Sequence, residues 1–258
     1  LKLFPLPKEI RTAIISVNTI KSAIELMEET KNIFSNNLSA FEFFSEFSLG
    51  LTLKHIPNTD DPFDKKYPWY ILIDIEIPQS NNTIFENFQD FLIEKITNDN
   101  IIDGVIAKNQ SEREKLWRIR ESIPYAQTYE GASIKHDISV PIKYIPNFLD
   151  EVLNNLRKLI KGIRPCVFGH VGDGNIHLNF SSPERFDDAK FLNFTEDINK
   201  VVFDTVKKYD GSISAEHGIG LLKKDTIINY KDELEIELMR KIKKIFDPKN
   251  ILNPGKLI

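Results

Sequence analysis

The stretch Cys166-Val167-Phe168-Gly169-His170-Val171-Gly172-Asp173-Gly174-Asn175-Ile176-His177-Leu178-Asn179-Phe180 restricts the fold of this chain more than any other segment. Two runs with alternating apolar residues flank an Asp-Gly pair, a leading short-range signal for an antiparallel hairpin. With Asp173 and Gly174 as a two-residue type I′ turn, Gly172 faces Asn175, Val171 faces Ile176 and His170 faces His177. Opposed Cβ atoms on one face lie about 5 Å apart, close enough for both imidazoles to share one metal ion. Asn179 falls on the same face, while Ile176, Leu178 and Phe180 turn the other way into a core. An ordinary polar surface pair is the other reading of these two histidines.

A second glycine-rich segment, Ser214-Ala215-Glu216-His217-Gly218-Ile219-Gly220, sets a carboxylate beside an imidazole, so three of the five histidines lie in two such loops. A His, His, Glu set with an open position is a common arrangement for a catalytic divalent metal, whereas a closed structural site more often uses cysteines. Adjacent residues of a regular strand point to opposite faces, so Glu216 and His217 can share a pocket only if the backbone turns there. A helix-cap glutamate beside a surface histidine is the alternative.

Around these segments, strand and helix patterns alternate. Ala13 to Val17 and Leu38 to Phe44 flank a helical pattern on Ile20, Ala23, Ile24 and Met27. A polar loop from Asn58 to Pro68, a strand from Trp69 to Ile75, a helix around Ile84 to Ile96 and a strand from Ile101 to Ile106 follow. The expected class is α+β, a ferredoxin-like antiparallel sheet with helices on one face, plus a C-terminal helical portion that completes the site. Ser111-Glu112-Arg113-Glu114 reads as a capping box that starts a helix carrying Leu116, Ile119 and Ile123 inward. Pro124 should end or kink that helix with Arg120 on its last regular turn. Further helices are expected over Lys143 to Ile160, Pro183 to Val206 with Ser182 as cap, and Asp232 to Phe246.

Composition narrows the partners. With 34 Lys+Arg against 38 Asp+Glu the formal charge is −4 and no basic run stands out, which argues against nucleic acid. No run of about 20 apolar residues is present, so no membrane-spanning helix is expected. The single cysteine, Cys166, cannot form an internal disulfide and suits a reducing compartment. Lysines outnumber arginines 26 to 8, and only the planar guanidinium grips a carboxylate bidentately, so each arginine carries weight. The chain opens on Leu1, and residues 1–10 read as a linker from an upstream domain, leaving 11–258 as the folded unit.

Both histidine segments, together with Leu116-Trp117-Arg118-Ile119-Arg120-Glu121 and Phe246-Asp247-Pro248-Lys249-Asn250-Ile251-Leu252-Asn253-Pro254-Gly255-Lys256, resemble the C-terminal domain of the FAD-linked oxidases of the vanillyl-alcohol-oxidase type. The resemblance spans nearly the whole chain and is nearest to the D-lactate and D-2-hydroxyglutarate dehydrogenases. Ser39-Ala40-Phe41-Glu42-Phe43 and Ile134-Lys135-His136-Asp137-Ile138-Ser139-Val140-Pro141 look most like the hydroxyglutarate branch.

The resemblance implies a divalent metal, zinc by preference, on His170, His177 and Glu216, with His217 as catalytic base. It implies Arg120, Lys135 and Asn179 as substrate-binding residues and Asn253 as a contact to FAD, which is held mainly by a separate N-terminal domain. The expected reaction is FAD-dependent oxidation of a D-2-hydroxy acid, D-2-hydroxyglutarate favoured, to the 2-oxo acid, in the cytoplasm or a mitochondrial matrix. D-lactate or glycolate oxidation and a non-catalytic metal-binding subunit remain alternatives, and a homodimer stays open. A metal-dependent hydrolase fits less well, because no His-Glu-x-x-His helix is present. Relatives of the hydroxyglutarate type carry a hydroxyl residue four after the matching arginine. Here that position is Pro124, which bears on the grip of a second carboxylate.

Overall fold

The computed structural model describes residues 6–78 and 83–257. Half of the expected 1–10 linker, residues 1–5, lies outside them. Lys8 already donates to the Ile77 carbonyl at 2.8 Å, and the first strand, β1 (Glu9–Val17), takes residues 9 and 10 into the sheet. Helix α1 (Ile20–Phe34) follows, capped by the Thr19 hydroxyl, which accepts from the Ser22 N–H at 3.0 Å. Next come β2 (Leu38–Ser45), α2 (Glu46–His55), β3 (Trp69–Ile77), α3 (Thr83–Thr97) and β4 (Asp103–Ile106). These strands pair antiparallel in the order β4-β1-β3-β2, the expected ferredoxin-like arrangement.

The chain continues through α4 (Gln110–Glu121), α5 (Ile123–Ala126), β5 (Ser133–Ile134), β6 (Asp137–Ser139) and α6 (Ile145–Leu159). The hairpin β7 (Arg164–His170) and β8 (Asn175–Ser181) then extends the sheet. Strand β7 joins β2 through three residue pairs, Glu42 with His170, Phe43 with Gly169 and Phe44 with Phe168, while β5 and β6 both pair with β8. A seam three pairs long therefore unites the first four strands with the rest.

The α+β class and the antiparallel sheet match the sequence reading, but helices cover both faces rather than one. Side chains such as Ile15, Phe43, Ile73, Val167 and Leu178 pack under α1, α3, α6 and a later helix, α8 (Thr195–Lys208). On the opposite face Ile14, Phe44, Leu72, Cys166 and Phe168 pack under α2, α4 and α5. The uninterrupted run Ile71-Leu72-Ile73, buried throughout, is what a strand covered on both sides requires.

The hairpin turn also differs from expectation. His170 stands opposite Asn175 and Phe168 opposite His177, so the register is displaced by two residues and the loop is a one-turn 3₁₀ segment over Val171–Asp173 closed by Gly174. Gly174 adopts φ 68°, and a Cβ there would run into the Val140 carbonyl, which explains the glycine and the longer turn. An even displacement keeps every side chain on its face, so His170, His177 and Asn179 remain on one side as expected.

Three smaller corrections concern caps and helix limits. Helix α4 begins two residues earlier than the Ser111 cap implied: Asn109 caps it, its side chain accepting from the Glu112 N–H at 3.0 Å, and Glu112 accepts from the Lys108 N–H at 2.9 Å. The helix expected over Pro183 to Val206 is broken. A turn at Pro183 to Phe186 leads to α7 (Asp188–Leu192), capped by Asp187 rather than Ser182, and then to α8. After α9 (Lys224–Ile227), helix α10 (Glu233–Phe246) carries a full capping box from Asp232 and Glu235.

Candidate active site

A pocket of about 650 Å³ opens on the face of the sheet that carries α4 and α5. Its wall includes Arg120, Lys135, Asp137, His170, His177, Asn179, Glu216 and His217. Seven of the eight residues expected to form the site thus converge, drawn from α4, the β5–β6 connection, both hairpin strands and the loop after α8. Asn253 stands apart, exposed on the tail in a left-handed turn with φ 45°, its carbonyl accepting from the Lys256 N–H at 3.2 Å. The tail does reach the pocket rim, because the Leu257 N–H donates to the Gly220 carbonyl at 3.2 Å.

His170 and His177 are diagonal neighbours on the hairpin, with ring centroids 5.6 Å apart. Nε2 of His170 lies 3.3 Å from Oε1 of Glu216, and Nε2 of His177 lies 3.8 Å from Oε2 of the same carboxylate. Two ligand atoms held tetrahedrally at about 2.1 Å from a zinc ion are separated by about 3.4 Å, so this donor set fits a divalent cation. Glu42 buttresses it, with Oε1 2.8 Å from Nδ1 of His170. A carboxylate on the far nitrogen fixes the ring and leaves the Nε2 lone pair toward the pocket, as is usual for metal-binding histidines. A second set, Asp137, His177 and His217, also has close donor atoms and shares His177 with the first.

Charge is concentrated below the pocket. The other oxygen of Glu42 accepts from Nη2 of Arg120 at 2.8 Å, and the guanidinium lies 4.9 Å over the Phe168 ring. Burial lowers the Arg120 pKa, an effect that Glu42 only partly offsets. Nε of Arg120 is buried without a hydrogen-bond partner among the described residues, an unmet donor on the side chain best shaped for a carboxylate. Burial and then the Arg120 charge push His177 down to about 4, so its imidazole is neutral near pH 7 and free to ligate. The bond to Glu42 raises the His170 pKa against the effect of burial. Burial alone would raise the Asp137 carboxyl, yet amides of His217 and Glu216 and the Asn175 side chain hold it below the usual range.

The remaining predicted residues complete the wall. Asn179 is buried, its Oδ1 accepting from the His136 N–H at 3.2 Å and its Nδ2 donating to Gln127 Oε1 at 3.0 Å. Lys135 is exposed at the rim. His217 is 70% exposed, with Nδ1 3.8 Å from Oδ2 of Asp137 and its ring 6.0 Å from that of His177. Sequence reasoning did not single out Glu42, Asp137 or Gln127. Glu42 had a visible signal, an acid among Phe41, Phe43 and Phe44, where a charge needs a partner if the strand is buried on both faces.

Residues 6–257 match the family described as FAD linked oxidases, C-terminal domain. The chain belongs to this family. The FAD-linked oxidase domain is 35% identical over 254 residues to a mitochondrial D-2-hydroxyglutarate dehydrogenase of Arabidopsis thaliana, covering 98% of this chain and 44% of that protein. It is 35% identical over 221 residues to a D-2-hydroxyglutarate dehydrogenase of Stutzerimonas stutzeri, covering 86% of this chain and 47% of the relative. The domain thus spans about half the length of these relatives. A solved structure of p-cresol methylhydroxylase with substrate bound shares the fold, with a TM-score of 0.65 at 13% identity over 98% of this chain and 53% of that one. Among the described residues no helix is long and apolar enough to cross a membrane.

Proposed function

We propose that this chain is the substrate- and metal-holding part of an FAD-dependent D-2-hydroxyacid dehydrogenase that acts on D-2-hydroxyglutarate. The observation that carries the reading is the convergence of Nε2 of His170, Nε2 of His177 and the Glu216 carboxylate within 4.8 Å, in a pocket also walled by Arg120 and His217. A hydroxy acid offers that pocket two handles. Its carboxylate pairs with the free edge of the Arg120 guanidinium and with Lys135, while the Asn179 amide orients the hydroxyl end. His217 takes the hydroxyl proton on Nε2, since the Asp137 carboxylate on the Nδ1 side favours the Nδ1–H tautomer. A divalent cation, zinc in this reading, would when bound by His170, His177 and Glu216 polarise the hydroxyl as a Lewis acid. FAD would when bound accept the hydride from C2, leaving a 2-oxo acid. Asn253 is assigned to the flavin side on its match to the family's tail motif. The names of the eukaryotic relatives favour a mitochondrial setting, and a bacterial chain would work in the cytoplasm.

D-lactate is the second reading, and Pro124 favours it. Its ring lies in the pocket wall four residues after Arg120 and donates no hydrogen bond to a second carboxylate. One experiment separates the readings: flavin bleaching in the enzyme assembled with its flavin-binding part, under D-2-hydroxyglutarate, D-lactate and their L-isomers, with and without chelator. Bleaching by the D-acids alone, fastest with D-2-hydroxyglutarate and lost after metal removal, is expected. Faster bleaching by D-lactate shifts the substrate. Unchanged bleaching after verified metal removal overturns the metal role.

A further inference from the structure

We propose that Asp137 is the positioning residue that assembles this pocket, holding the Glu216-His217 segment over the histidine hairpin with both side chains on the pocket wall. The proposal rests on the reading that His170, His177 and Glu216 hold a cation. Consecutive residues of an extended strand face opposite ways, so a device must bend the backbone for Glu216 and His217 to serve one pocket. That device is one carboxylate, 3% exposed. Its Oδ2 accepts two successive amides, Glu216 N–H at 2.7 Å and His217 N–H at 2.8 Å. The Asp137 carbonyl accepts the preceding amide, Ala215 N–H, at 3.3 Å.

The same residue is anchored to the hairpin twice. Its backbone lies opposite His177 in the pairing of β6 with β8, and its Oδ1 accepts from Nδ2 of Asn175 at 2.9 Å. Asn175 is in turn the residue opposite His170. Four side chains of the site thus take their places from one acid: Glu216 and His217 through their amides, His170 through Asn175, and His177 through the strand pairing. Both oxygens are engaged by amide donors, so Asp137 acts through its neighbours.

This arrangement makes a distinctive prediction about substitutions. Asparagine at 137 keeps one oxygen for the two loop amides, and its NH₂ can donate to Oδ1 of Asn175, which is buried without a partner among the described residues, once that amide turns over. Alanine supplies neither. Titrating the 258-residue chain with Co²⁺ against a competing chelator, and recording its visible absorption, should show Asp137→Ala binding about 10- to 100-fold more weakly with altered bands. Asp137→Asn should recover affinity to within about threefold and restore the bands. Equal losses in the two variants would assign Asp137 to ligation or charge, and unchanged binding in Asp137→Ala would remove its role. Should Asp137→Ala not fold, hydrogen exchange of the unsubstituted chain decides. The amides of Glu216 and His217 should be protected despite their exposed side chains, and rapid exchange at both sinks the proposal. Failure of the unsubstituted chain to bind Co²⁺, or unaltered binding after His170→Ala with His177→Ala, refutes the cation reading and leaves the exchange test standing.

Discussion

Individual side chains in and behind this pocket do more than one task, and Glu42 shows it best. Its two oxygens separately hold His170 and Arg120, so one acid on β2 supports both a proposed metal ligand and the proposed carboxylate grip. The geometry of Arg120 matters as much as its charge. Lysine in its place keeps the charge but offers no planar fork to span Glu42 and a substrate carboxylate. Arg120→Lys should therefore lower kcat/KM of the assembled enzyme by about 10- to 100-fold, mostly through KM, as steady-state kinetics on the favoured hydroxy acid would report. His170, His177, Glu216 and His217 were legible because histidine is scarce here and each lies in a glycine-rich motif. Glu42 was marked only by its aromatic neighbours, a signal that counts once its strand is known to be covered on both faces, and Asp137 not at all, because an acid beside a short strand looks the same in sequence whether it faces water or buried amide donors.

Among the elements, the short 3₁₀ turn ending at Glu130 works as a clamp. Glu130 meets Lys54 and His55 of α2 and Arg164 of β7, tying helix to hairpin. Burial alone would raise its pKa, but those three partners hold it down to about 2, against an ordinary value of 4.5. A carboxylate depressed by folding stabilises the fold above its unfolded pKa and loses that contribution as pH falls through its folded pKa. The native chain should thus lose stability between pH 4.5 and 2. Glu130→Gln should be less stable by about 1 to 2 kcal/mol at pH 7, since its exposed partner Lys54 is screened by solvent, and urea unfolding should find the gap closing toward pH 2. Other elements show where local signals fail. The α10 capping box was readable because acid, spacing and apolar run coincide. The length of the hairpin turn is not readable locally, because Asp-Gly closes both two-residue and longer loops, and the close approach of Gly174 to Val140, a long-range contact, decides between them.

For the molecule as a whole, the ferredoxin-like half could be read from alternation alone. The helices on the second face could not, because their apolar positions fit either face. One surface is unusually apolar. Leu234, Leu238, Ile242, Ile245 and Phe246 run at helical spacing along α10 and are 48 to 78% exposed. The 258-residue chain alone should self-associate in sedimentation experiments, and replacing Leu238 and Ile242 by Glu should shift it toward monomer while leaving Co²⁺ affinity unchanged. The three-pair seam between β2 and β7 carries a different consequence. Its first pair sets Glu42 of the junction directly behind His170 of the pocket wall, so ligand occupancy and opening of the junction are linked, and reciprocally. Filling the pocket should slow hydrogen exchange of the backbone at residues 42–44 and 168–170, and any change that loosens the junction should weaken binding by the matching factor. The sheet is then a sensor of its own cargo.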